Sequence, residues 1–269
     1  MSPSPWSVPD PEAALHDLLS ARAQRDPWEH RHPLDAARAA ALLSRIPAET
    51  YLSSPSNDGR LIAHYLDKST YGVSTPLHQA VTLLRLPEIP GTYDHGHARA
   101  TQRRHARKAL KAGVTWELPT DRADKQVFLD LAIEKARRDL DDDEELLKAV
   151  NLPDMLGTEL WITAHHEGRP ILAAVAAVDG EWAMIRYFCS FELTRVASST
   201  RYLMTGVLAE ELISRGVRFL ADNKSPLRLP PGVREFSRMV GFRTGRVKVL
   251  RTAGTPERTP VGALHGEPI

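Results

Sequence analysis

Short apolar runs alternate with helical patterns through the second half of the chain. The pair Asp179-Gly180 stands between two such runs, which is typical of a tight β-hairpin. The apolar residues of 198–215 recur on one face, which predicts a long helix that Ser198 or Ser199 caps. Strands are predicted at 159–166, 170–178, 181–191, 217–221 and 246–250, with a short helix within 230–242. This order predicts an α/β fold with a mixed central sheet flanked by helices.

The first half of the chain gives a more mixed pattern. A proline and serine-rich start, 1–9, predicts a flexible segment, and Asp10-Pro11 predicts the start of a helix. The apolar and β-branched content of two runs favours strands. Helices are predicted at 10–25, 34–46, 97–113 and 123–139, and strands at 60–66, 80–86 and 114–118.

Charge is balanced over the whole chain but not along it. The sequence has 35 basic and 34 acidic residues, so net charge gives no reason to expect a nucleic acid. The predicted helix at 97–113 contains no acid and spaces its cations along one face. Its six cations are Arg99, Arg103, Arg104, Arg107, Lys108 and Lys111. Three interpretations of this charged face are open: it is solvated, it meets the phosphates of an RNA, or it meets the chain's own acidic run at 139–145.

Several other classes of protein are disfavoured. Cys189 is the only cysteine, so an internal disulfide or a cysteine-cluster zinc site is excluded. The histidines around His95 and His97 lack the spacing of a metal site, and none is predicted. The chain shows neither a signal peptide nor an apolar run of membrane-spanning length. A cytoplasmic protein with no membrane partner is therefore predicted, and its oligomeric state is open.

The second half resembles the GNAT acyltransferase superfamily. The resemblance covers about 155–251 and includes "REFSRMVGFR" (234–243), a short helix followed by Gly-Phe. It implies a GNAT-like domain at 151–251 and a reduced GNAT-like part at 51–150. A helical extension, 1–50, and a flexible tail, 252–269, complete the predicted organisation.

A more specific resemblance is to Fem-type aminoacyl-tRNA-dependent transferases. It is carried by "RRHARKALKAGV" (103–114) and "TRYLMTGVLAEELISRGVRFL" (200–220). It implies that aminoacyl-tRNA is the co-substrate, that no cofactor is tightly bound, and that the six cations of 97–113 hold tRNA. The product would be an amide on the amine of a small molecule or peptide.

Further site residues follow from the wider resemblance. The expected donor-binding loop reads "RVASST" and lacks the glycines that acyl-CoA-dependent members use around a pyrophosphate. Glu192 is a candidate base, and Tyr187 or Tyr202 a candidate proton donor. The donor-binding candidates are Arg195, Ser198, Ser199 and Thr200, and the acceptor-binding candidates are Asp222, Asn223 and Lys224. The alternatives are an acyl-CoA-dependent N-acyltransferase and a non-catalytic RNA-binding module.

Overall fold

One eight-stranded mixed sheet forms the centre of the molecule. The structure is a computed structural model that describes residues 10–23, 33–68 and 74–251. The strand order is β1-β8-β2-β7-β6-β5-β4-β3, with β1–β8 and β6–β7 parallel and the other pairs antiparallel. The strands are β1 (Ala48–Ser53), β2 (Ala80–Arg85), β3 (Thr115–Glu117), β4 (Leu160–His166), β5 (Arg169–Asp179), β6 (Trp182–Ser190), β7 (Phe219–Asp222) and β8 (Arg243–Arg251).

Helices cover both faces of this sheet. They are α1 (Pro11–Ala23), α2 (Pro33–Ser44), α3 (Asn57–Leu66), α4 (Ala100–Lys111), α5 (Arg122–Asp139), α6 (Glu144–Val150), α7 (Arg195–Ser214) and α8 (Pro231–Met239). Short 3₁₀ turns lie at His97–Arg99, Leu152–Gly157 and Pro226–Arg228. The predicted α/β architecture with a mixed sheet flanked by helices is confirmed.

The apolar core has two sides because successive residues of a strand point to opposite faces. Ile162 of β4 packs in a cluster with α4 and α7. Its neighbour Trp161 packs in another cluster with Phe128 of α5. A third cluster lies on the same side of the sheet as Trp161 and contains Ile62 of α3. We call the two sides the α7 face and the α5 face.

The predicted strand at 60–66 is wrong, because these residues belong to α3. Ser56 caps this helix by accepting from the Gly59 amide. Its buried residues follow helical spacing rather than alternation: Asp58, Gly59, Ile62, Ala63 and Leu66. The local cap and the packing against the sheet therefore outweigh the β-branched and aromatic content of the run.

The predicted hairpin around Asp179-Gly180 is confirmed, and it also fastens the first part of the chain. Asp179 accepts from the Tyr51 hydroxyl at 2.7 Å, the Ser54 amide at 3.0 Å and the Ser54 hydroxyl at 2.5 Å. These bonds join the turn between β5 and β6 to the β1–α3 connection. Strands from both predicted α/β parts thus belong to one sheet. The predicted flexible segments 1–9 and 252–269 lie outside the described residues.

Candidate functional site

The basic run forms a helix, as its sequence predicts. The regular helix α4 begins at Ala100, after the 3₁₀ turn at His97–Arg99. The chain leaves the helix through Gly113, whose φ of +85° is a conformation that glycine adopts without strain. The charges of this run are therefore placed at helical positions.

Two of the six cations are used inside the protein. The Arg99 guanidinium lies 4.9 Å from the centre of the Tyr93 ring, and burial lowers the pKa of Arg99. Arg103 Nη1 donates to the backbone oxygens of Asp94 and, at 2.7 Å, Gly96. These two arginines hold the 93–96 loop against the helix and are not free to meet a ligand with all their donors.

The other four cations are exposed on α4, and we call them the α4 basic surface: Arg104, Arg107, Lys108 and Lys111. Within residues 10–23, 33–68 and 74–251, no carboxylate lies within 4.0 Å of any of the six cationic groups. Like charges at helical spacing repel one another, so this surface favours a negatively charged ligand.

The acidic run at 139–145 is not the counter-charge. It lies at the end of α5 and the start of α6, on the α5 face, whereas Ala109 of α4 packs on the α7 face. Asp139 pairs with Lys135 at 2.7 Å. Asp143 accepts from the first amides of α6. The acidic run is therefore excluded as the counter-charge, and the α4 basic surface faces solvent in this structure.

A groove of about 840 Å³ lies between α4 and α7, and Trp116 of β3 also lines it. Its walls are largely apolar and aromatic, with Trp116 and Leu118 exposed at the surface by 42% and 39%. Arg107, one of the four cations of the α4 basic surface, lines the same groove together with Arg103, so the basic surface and the groove meet at Arg107. We call this feature the α4–α7 groove.

Two carboxylates of the groove differ in what they do. Glu210 accepts from the backbone amides of Gly91, at 2.6 Å, and Tyr93, at 3.2 Å. It therefore anchors the 91–93 loop. Asp94 also lines the groove, and its carboxylate makes no hydrogen bond or ion pair with any described residue. Asp94 is not among the candidates of the sequence analysis, because its position after β2 carries no motif.

The three candidate catalytic residues are not brought together. Tyr187 lies in the cluster on the α5 face, where burial raises the pKa of its hydroxyl. Tyr202 lies on the α7 face, lines the groove and stacks on His105 with ring centres 4.5 Å apart. Its hydroxyl contacts the Met239 sulfur at 3.8 Å. Glu192 is exposed after β6 and lines no part of the groove.

The predicted donor loop is already helix. Thr194, with φ −112° and ψ 165°, caps α7 by accepting from the Ala197 amide at 3.0 Å. The predicted cap at Ser198 or Ser199 is therefore wrong, because Thr194 does this four residues earlier. Arg195 becomes the first helical residue, and Thr200 is buried with its hydroxyl bonded to the Val196 oxygen.

This placement leaves little of an anion cradle at 195–200. The Ser198 amide is bonded to the Thr194 oxygen, so only the first amides of α7 stay open to a ligand. None of Arg195, Ser198, Ser199 and Thr200 lines the α4–α7 groove. These residues and the groove are thus separate features of the molecule.

The acceptor candidates lie together at the end of β7. Asp222 accepts from the Lys224 amide at 3.0 Å, and Asn223 donates to the Arg186 oxygen at 3.3 Å. Lys68, which no sequence pattern indicated, lies near them with its Nζ buried and unpartnered among the described residues. Burial raises the pKa of Asp222, although the positive charges of Lys224 and Lys68 act to lower it. Burial lowers the pKa of Lys68.

Metal-binding and membrane-spanning features are not found in the part of the chain that the structure describes. Within those residues, no group of three or more potential metal ligands comes together. None of the helices there is both long and apolar enough to cross a bilayer.

Comparison with known proteins gives distant structural likenesses alone. No protein-family model matches the chain. No curated protein matches it either. One similar solved structure is the C-terminal domain of a putative lysylphosphatidylglycerol synthetase from Agrobacterium fabrum, 14% identical, with a TM-score of 0.42 over 62% of this chain and 58% of that one.

Two further structures are similar at the same level. L-PGS from Bacillus licheniformis is 12% identical, with a TM-score of 0.42 over 68% of this chain and 62% of that one. A conserved protein of unknown function from Bacteroides thetaiotaomicron is 10% identical, with a TM-score of 0.48 over 87% and 73%. The likeness thus spans about three fifths of each of these two solved chains, and the first of them is itself a C-terminal domain.

The resemblance to Fem-type transferases is corrected by these comparisons. Two of the three neighbours are named as lysylphosphatidylglycerol synthetase structures, and none of the three is named as a Fem-type enzyme. The basic helix and the helix-then-strand segment that suggested the resemblance are short and common in α/β proteins. The wider GNAT-like resemblance stays a prediction, and the neighbours, at these identities and TM-scores, assign no activity to the chain.

Proposed function

We propose that this protein is an acyltransferase that takes an aminoacyl group from aminoacyl-tRNA. The α4 basic surface would hold phosphates near the end of the RNA. The α4–α7 groove would receive the aminoacyl end. The acceptor would be the amine of a small molecule or peptide, which attacks the ester carbonyl and leaves with the aminoacyl group as an amide.

The observation that carries this proposal is the position of α4, which exposes four cations without a carboxylate partner among the described residues and contributes one of them, Arg107, to the lining of a largely apolar groove. Phosphates are bound by such cations without sequence readout. Exposed aromatic side chains such as Trp116 offer a stacking surface for a base. A groove of 840 Å³ is in the range of pockets that hold ligands larger than a single amino acid.

The main catalytic contribution of the protein would be to hold the acceptor amine and the ester carbonyl in position for reaction. The acceptor nitrogen forms the new C–N bond, the ester C–O bond breaks, and the 3′-terminal ribose oxygen of the tRNA leaves. The proton lost by the amine must reach that leaving oxygen. Asp94 supports this step as the unpaired carboxylate that lines the groove.

The decisive experiment measures acyl transfer from charged tRNA and from acetyl-CoA to a panel of acceptors, with and without ribonuclease. We expect transfer from tRNA that ribonuclease abolishes. The panel includes amines, peptides and phosphatidylglycerol vesicles, since two similar structures are named for a lysylphosphatidylglycerol synthetase. Ribonuclease-resistant transfer from acetyl-CoA would contradict the proposal. RNA binding with no transfer to any acceptor would favour a non-catalytic module.

A steric block tests the groove itself. Gly206 of α7 lines it, and a Cβ there would meet only Gln102 Nε2, at 3.5 Å. Gly206→Phe should therefore fill the groove and abolish transfer, while Gly206→Ala should fold and retain most activity. Equal activity of the two variants would remove the groove from the mechanism.

A further inference from the structure

A second, much smaller cavity lies where α1 crosses the sheet beside α8. Its volume is about 20 Å³, and it is separate from the α4–α7 groove. A cavity needs roughly 10–15 Å³ of such volume to hold one water-sized particle. Three elements enclose it, with Glu12, His16 and Leu19 from α1, Thr82 and Thr244 from the sheet, and Arg234, Ser237 and Arg238 from α8.

Arg234 brings hydrogen-bond donors to this cavity that nothing in the described chain accepts. Its Nη2 donates to the Leu229 oxygen at 3.0 Å. Its Nε and Nη1 are buried and have no partner among the described residues. A buried charged donor without a partner is costly, so native proteins rarely leave one unmatched.

Thr82 adds a third unmatched donor. Its side chain is 3% exposed, and its Oγ1 has no partner among the described residues. The neighbouring Ser237 hydroxyl does not supply the missing acceptor, because it donates to the Val233 oxygen at 2.9 Å. Three donors without a partner among the described residues therefore belong to residues that line this cavity.

The electrostatic surroundings are positive. Arg238 and Arg243 line the same cavity. The pKa of His16 is lowered, first by burial and then by the charges of Arg238 and Arg234. The Glu12 carboxylate also lines the cavity. It lies 3.8 Å from Arg243 Nε and partly balances the charge of that arginine.

We propose that this cavity binds one small monovalent anion, of the size of chloride, between Arg234 and Thr82. An anion accepts from all three unmatched donors and balances the buried guanidinium, whereas a water molecule would leave that charge uncompensated. Polyatomic anions such as sulfate or gluconate exceed the available volume. The bound ion would join α8 to β2 beneath α1, which forms another wall of the cavity.

The first test is crystallographic. Crystals of the full chain grown in sodium bromide should show an anomalous peak within hydrogen-bond distance of Arg234 Nε or Nη1. Density there without anomalous signal would identify a water molecule and overturn the proposal, and so would an empty cavity.

The second test uses thermal unfolding at constant ionic strength and pH, with chloride exchanged for gluconate. A tenfold excess of chloride over its Kd should raise Tm by about 2–4 °C. Arg234→Gln should abolish this difference, and Thr82→Val should reduce it if the arginine variant does not fold. Arg218→Gln, an exposed arginine paired with Glu88 and Glu181, is the matched control and should keep it. Equal Tm values of the unaltered protein in the two salts would overturn the proposal.

Discussion

The Arg99 guanidinium lies over the Tyr93 ring and also fills the space beside Gly241. A Cβ built on Gly241 would overlap this guanidinium. One cation of the basic run therefore packs the turn between α8 and β8, while others of the same helix face solvent. Charge spacing along a helix cannot distinguish these two roles.

Reversing two exposed charges of the α4 basic surface should weaken RNA binding. Arg104→Glu with Lys108→Glu removes two cations that would neutralise phosphates, so affinity for tRNA should fall. The slope of log K against log salt concentration should flatten by about one for each phosphate that is no longer neutralised. A salt series of binding isotherms measures both quantities.

The matched control for this pair is Arg137→Glu with Arg138→Glu. These two residues are also exposed cations on a helix, but they are consecutive and lie on α5. They should change affinity and slope much less. Equal effects of the two pairs would assign RNA binding to overall charge and not to α4.

Gly241→Ala should destabilise the protein more than Gly113→Ala does. Both glycines have positive φ, +96° and +85°, so both substitutions carry a backbone cost of about 1–2 kcal/mol. A Cβ at Gly113 meets nothing within 4 Å, whereas one at Gly241 displaces Arg99. Urea unfolding measures the difference. It should shrink when Arg99→Ala is added, and an unchanged difference would contradict the contact.

Ionised Asp179 should stabilise the folded protein, and this contribution should disappear at acidic pH. Burial alone would raise its pKa, but hydrogen bonds from Ser54, Tyr51 and Ser56 lower it overall. A lowered folded-state pKa means that stability is present above the ordinary carboxyl pKa and is lost as pH falls through the folded value. We expect loss below about pH 4.

Asp179→Asn tests this assignment. The amide accepts fewer and weaker hydrogen bonds, so the variant should be about 1–3 kcal/mol less stable at pH 7. Its free energy of unfolding should depend less on pH between about 5 and 2. Parallel pH profiles for the two proteins would show that Asp179 is not the titrating group.

Asp154→Asn should cost about 3–5 kcal/mol, because it leaves a buried guanidinium without its counter-charge. Arg186 Nε donates to Asp154 at 2.8 Å, and only 4% of the arginine side chain is exposed. Lys148→Ala breaks an exposed pair with Glu145 and should cost less than about 1 kcal/mol. Chemical denaturation compares the two. Similar small losses would place Arg186 in contact with water.

Local signals were sufficient for much of the fold. Asp179-Gly180 predicts its hairpin because an Asp-Gly pair between apolar runs readily adopts the positive φ angles of a tight turn. The helix at 97–113 follows from spacing and from Gly113. The strand predicted at 60–66 failed because Ser56, outside the run, caps a helix whose buried face is set by the sheet.

Periodicity and chain neighbours were enough to predict the fold class, most of the strands and the concentration of cations on one helix, because these features depend on local sequence. Only the tertiary structure decided which cations are free, since Arg99 and Arg103 are used by a loop and a turn that pack from elsewhere. It also decided that Tyr187 and Tyr202 lie on opposite faces of the sheet. The groove exists only because α4, β3 and α7, separated along the chain, meet in space.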